Sequence, residues 1–85
     1  MAITFIQDIL PMFRPGDIAC MAGKGVILND AGWMCDAAGD SDHADHANAR
    51  RVFDQLSQGR MPPDGPWSKE PVATYEQWMT DGFTP

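Results

Sequence analysis

Residues 42–58 read DHADHANARRVFDQLSQ. Within them Ala49, Val52, Phe53 and Leu56 fall at i, i+3, i+4 and i+7, a stripe that one face of a helix must bury. Ser41 stands where an N-cap would, and Gly59 where a helix stops. The spacing predicts a helix over 42–58. Its wheel sets Asp42, Asp45 and His46 on the extension of the stripe and turns His43 away from it. Downstream, 61–66 (MPPDGP) cannot be helical, because prolines lack donors and restrict the residues before them; this stretch is expected to run extended. Ser68 then caps a last helix to about Thr80, with Pro71 tolerated in its first turn, Gly82 ending it, and Val72, Tyr75, Trp78 and Met79 on its buried face.

Upstream, Phe5, Ile6, Ile9, Met12 and Phe13 follow a helical period and predict a short helix over 3–13. Pro15 and Gly16 are expected to break it. Asp17 would cap a further short turn carrying Ile18 and Met21, which Gly23 and Gly25 end. In the next stretch Val26, Ile27 and Leu28 are separated from Trp33 and Met34 by Asn29-Asp30-Ala31-Gly32. This is the pattern of a small hairpin, or of an irregular loop packed on its Trp. The chain therefore reads as all-α: one domain over 1–85, three to four short helices, and an irregular loop or small hairpin insertion at about 22–40.

The chain has 85 residues, 44% of them hydrophobic, enough for one small core. Twelve acids against six Lys and Arg leave a net charge of −6, which removes the basic footprint that nucleic acid or an anionic membrane requires. No run approaches the ~18 apolar residues of a membrane span, and MAITFIQDILPMF has neither the basic start nor the small-residue cleavage site of a signal peptide. A cytoplasmic protein is expected. Two cysteines, Cys20 and Cys35, make no disulfide framework, so free thiols are the default.

With the elements in this order, the run from Ser41 to Pro85 resembles the C-terminal half of small c-type cytochrome domains. The resemblance rests on Gly59-Arg60-Met61-Pro62-Pro63, a G-x-M-P-P element after a helix, and on Trp78-Met79-Thr80-Asp81-Gly82, an aromatic-x-x-x-Gly close to the last helix. Ile9-Leu10-Pro11-Met12-Phe13 is similar to the segment before haem attachment in that family. The resemblance implies a cytochrome c-like helical fold, with Met61 at the position of the axial thioether. The attachment motif C-x-x-C-H, which supplies two thioethers and a proximal imidazole, is missing: Cys20 precedes Met-Ala-Gly and Cys35 precedes Asp-Ala-Ala. The implied fold is thus cytochrome-like and haem-free, and Met61 reads as an apolar gap filler.

The stretch between Gly25 and Ala49 holds Asp30, Asp36, Asp40, Asp42 and Asp45, both histidines, and no Lys or Arg. A solvated, acidic helix start explains it without a ligand. A transition-metal reading would take Asp42 and His46 on one helix face, with His43, Cys35 or Asp36 completing the set, but the usual paired-ligand spacings are absent. Asp36–Asp42 lacks the central Gly and the bidentate Glu of a calcium loop. Cys35 with His43 or His46 is the only conceivable thiol–imidazole pair, and no catalytic context surrounds it. Trp33 and Trp67, with Asp40 and Asp45, are the candidates for contact with a protein partner or a second copy. The function expected is a non-catalytic accessory or interaction module, associating with a larger enzyme. The alternative is a small redox protein holding haem or a metal non-covalently.

Overall fold

The computed structural model describes residues 3–60, 65 and 67–85, and Met61, with the prolines beside it, lies outside the described residues. All regular structure among the described residues is helical: a two-part helix α1 (Phe5–Ile9, then Leu10–Met12), α2 (Pro15–Ala22), α3 (Ala31–Met34), α4 (Ala47–Ser57) and α5 (Lys69–Thr80).

The first helix forms as expected but not as one regular coil. The Thr4 hydroxyl accepts from Gln7 N–H at 3.3 Å while the Asp8 carboxylate accepts from Thr4 N–H at 2.8 Å, a reciprocal cap. Phe5–Ile9 is then wound wide, with Leu10 N–H bonded to the Phe5 carbonyl, and Leu10–Met12 is wound tight. Pro11 lies at this change and has no N–H to continue the ladder. The first helix does stop before Pro15, with Arg14 extended, and Pro15 then occupies the first turn of α2, where its missing donor costs nothing. Asp17 does not cap that helix. Arg14 is the N-cap residue, and its guanidinium holds Asp17 at 2.8 Å.

The hairpin does not form. Asp30 instead accepts from the N–H groups of Gly32 and Trp33, at 2.8 and 3.3 Å, and caps the single turn α3. The larger correction concerns 42–58, where helix begins only at Ala47. Ser41 caps nothing, and the N-cap residue is His46 in the left-handed region (φ 47°). The stripe of Ala49, Val52 and Leu56 is buried as predicted, with Phe53 half-buried, but Asp42, Asp45 and His46 do not extend it.

Both long helices end in the same device. After α4, Gly59 N–H bonds to the Leu56 carbonyl and Arg60 N–H to that of Gln55. After α5, Gly82 N–H bonds to the Met79 carbonyl and Phe83 N–H to that of Trp78. These are Schellman closures, and both glycines have the positive φ they need, 72° and 103°. The second turns the chain back so that Phe83 packs beneath Trp78, with ring centroids 5.3 Å apart.

The core is an aromatic junction of α1, α4 and α5. Phe5, Tyr75 and Trp78 are fully buried with Ile9, Leu28, Met34 and Leu56. Tyr75 meets Trp78 edge-on at 5.1 Å, and Phe5 lies 5.6 Å from Trp78. The Tyr75 hydroxyl donates to the Ala49 carbonyl at 2.8 Å, tying α5 to α4. Burial pushes this hydroxyl well above the ordinary tyrosine value of 10.0, with Cys35 nearby acting in the same direction.

Tyr75→Phe is expected to cost about 1 kcal/mol, read from urea unfolding. Because the folded state keeps the proton that the unfolded state releases near pH 10, Tyr75 contributes no alkaline loss below that pH and a growing one above it. It is the single tyrosine of the chain, so its titration is visible directly in the ultraviolet, and Tyr75→Phe should abolish that part of the alkaline destabilisation.

Candidate functional site

The segment 37–47, most of it expected to be helical, is a closed loop of Ω type. Its ends are joined by His46 N–H to the Ala37 carbonyl at 3.2 Å and Ala47 N–H to the Ala38 carbonyl at 2.9 Å, which also occupies a donor that the start of α4 would leave free. Inside it, Asp40 Oδ1 accepts from the N–H groups of Asp42 and His43, both at 2.9 Å, and Asp36 Oδ1 accepts from Ala38 N–H. Such local carboxylate bonds offer the backbone an alternative to helix. Gly39 makes the loop possible. A Cβ there would overlap the Ala44 carbonyl and stand 2.7 Å from the His43 oxygen.

The base-free stretch is not left uncompensated. Arg50 and Arg51, near the start of α4, reach back over it. Arg50 Nε donates to the carbonyl and the carboxylate of Asp45, both at 2.9 Å; Arg51 pairs with Asp40 and stands 3.6 Å from Asp42. His43 Nε2 lies 3.0 Å from Asp54 Oδ2, fastening the loop to the middle of α4. The backbone bond from His43 is the largest of the effects that hold the Asp40 carboxyl below its ordinary range, with the Asp42 amide and Arg51 adding to it. Asp42 and Asp45 keep 73% and 62% of their side-chain surface in solvent, so the loop is rigid and acidic together.

His46 is separate from His43. Its ring stacks on Phe83 at 3.7 Å, nearly parallel, and its Nδ1 is buried without a hydrogen-bond partner. Among the described residues no three of His, Cys, Asp and Glu are grouped as a metal would require, so Asp42, His43, His46, Cys35 and Asp36 are not brought together. Cys20 is exposed, Cys35 is half-buried, and both are free; burial pushes the Cys35 thiol up, away from reactivity. Trp67 is half-buried over Phe13, at 5.2 Å, and Tyr75, at 6.4 Å.

Trp33 lines an open cleft of about 620 Å³, and Met21, Val26 and Val52 complete its apolar lining. Its polar lining is Asn48, Arg51 and Gln55 of α4, Lys24 just beyond the end of α2, and the His43–Asp54 pair. Asn48 Nδ2 donates to the Trp33 carbonyl at 3.0 Å and fixes α3 against α4. The sequence marks Trp33, Asp42 and His43 among the lining residues but not Lys24, Asn48 or Gln55. Nothing local marks them, since only the fold places the end of α2 opposite α4.

No family model, curated protein or solved structure matches the chain.

Gly39→Ala is expected to open the loop, costing roughly 1–3 kcal/mol through the displaced backbone and its lost hydrogen bonds. The amides of Asp40, His46 and Ala47 should then exchange faster with solvent deuterium while those of α5 hardly change. Asp54→Asn should have a smaller effect at the same amides, because the pair it weakens is half exposed.

Proposed function

We propose that this domain is a non-catalytic accessory module that works by docking to a protein partner, a larger enzyme being the expected kind. The observation that carries this reading is where the chemically capable side chains are used. His43 and Asp54 hold each other, Asp40 and Asp45 hold the arginines of α4, and the Tyr75 hydroxyl is buried on a carbonyl. None of these is left poised over a reacting atom, and the half-buried thiol of Cys35 is shifted the wrong way for a nucleophile. What the chain does offer outward is the rigid acidic loop 37–47, with Asp36 exposed at its entry, on a protein of net charge −6. A preorganised acidic surface favours a partner with a basic patch and speeds encounter with it.

The cytochrome-like reading belongs with this proposal, in its haem-free form. Its support is the order of α4, the G-x-M-P-P segment and α5 closed by Trp78-Met79-Thr80-Asp81-Gly82, together with the missing C-x-x-C-H. The close packing of Phe5, Tyr75 and Phe83 around Trp78, with centroids 5.1 to 5.6 Å away, supports the haem-free form.

Two outcomes test the proposal. Immobilised protein should retain a partner from extract of its host at low ionic strength. The variant Asp36→Asn/Asp45→Asn, which keeps both groups as hydrogen-bond acceptors and removes their charge, should retain several-fold less. Capture equal to that of an unrelated acidic domain would refute the docking role. The purified protein should also be colourless and should give no Soret band on titration with haemin; a band lost in Met61→Ala would favour the redox alternative.

A further inference from the structure

We infer that the cleft between α4 and the end of α2 is a binding site for a small monocarboxylate with a flat apolar body. Its volume, about 620 Å³, lies in the range of small-molecule sites. Its composition has their character too: the apolar Met21, Val26, Trp33 and Val52 line it together with a few hydrogen-bonding groups.

The charge of the ligand follows from the partners already made. Of the acids lining the cleft, Asp54 is engaged by His43 at 3.0 Å and Asp42 stands 3.6 Å from Arg51, which also holds Asp40. Lys24 lines the same space and has no acidic partner among the described residues. Lys24 is therefore the one lining cation without an acidic partner among the described residues, while Asp54 lies beside His43 and Asp42 beside Arg51. A carboxylate satisfies Lys24 while the flat body lies against Trp33. A phosphate monoester is disfavoured, because its second charge has no further cation to meet and works against the field of a protein of charge −6. Asn48 holds its amide nitrogen on the Trp33 carbonyl, so its oxygen is left to accept from a ligand N–H.

The cleft borders the docking loop through Asp42 and His43, but its test uses no partner protein. The full chain labelled with ¹⁵N is titrated with indole-3-propionate, with the corresponding primary amide, and with phenyl phosphate. The acid should shift the Trp33 indole N–H and the amides of Val26 and Gln55 at millimolar concentration or below, with the amide at least about tenfold weaker. Lys24→Gln should reduce the acid to the level of the amide, while Lys69→Gln, remote in sequence and on another helix, should not. A Lys24→Gln spectrum unchanged away from residue 24 shows that the fold is kept. Equal binding of acid and amide, tighter binding of phenyl phosphate, shifts confined to other residues, or none at millimolar acid would each overturn the assignment.

Discussion

The carbonyl of Thr84 accepts two hydrogen bonds, from the Phe5 amide and from the Trp78 indole, each at 2.8 Å, and the arrangement of the helices depends on this junction. An indole buried this completely must place its N–H on an acceptor. The acceptor available is the chain just beyond α5, brought back by the Schellman turn at Gly82. The same segment then occupies free donors at the start of α1, since Ile6 N–H bonds to the Pro85 carbonyl. One turn thereby satisfies a core side chain and two orphan amides, and it fixes how α1 lies across α5.

The junction extends to the loop through Phe83. This residue adopts φ 57°, a region costly for a side chain with a Cβ, and its ring is nevertheless buried between Trp78 and His46. Arg50 stands over the same ring, 5.3 Å from its centre. His46 is in turn the left-handed residue from which α4 departs. The C-terminal turn of α5 thus holds the N-terminus of α4, and the loop 37–47 is closed onto a helix start that does not shift. Arg50 and Arg51 can reach back to Asp45 and Asp40 because that start is fixed.

The features legible in the sequence were those set by local period and local stops. Spacing marks Tyr75 and Trp78 as core, and their chemistry marks Gly59 and Gly82 as helix ends. The beginning of α4 was misread for a physical reason. Asp42, Asp45 and His46 do fit a helical wheel, but Asp36 and Asp40 bind nearby amides in turns, and Gly39 admits an approach of backbone to backbone that no periodicity records. The acidic stretch looked uncompensated because its bases follow it in sequence and return to it only in space. Asp30 carried the signal of a cap, yet α3 is a single turn, too short for any period to show.

These two halves of the molecule differ in how firmly they are built, and the cleft lies where they meet. Around α1, α4 and α5 the interior is aromatic and doubly hydrogen-bonded. On the other side, α2 buries no residue fully, and only half-buried Ile18 and Met21 pack it against the core. Local stability follows such contacts, so α2 is the element that opens at least cost. One wall of the cleft, α4 with Asn48, Arg51 and Gln55, is therefore held to close tolerance, while the opposite wall, with Met21 and Lys24, can yield. That asymmetry suits recognition: the fixed wall and Trp33 set orientation, and the yielding one admits the ligand without disturbing the junction on which the fold depends.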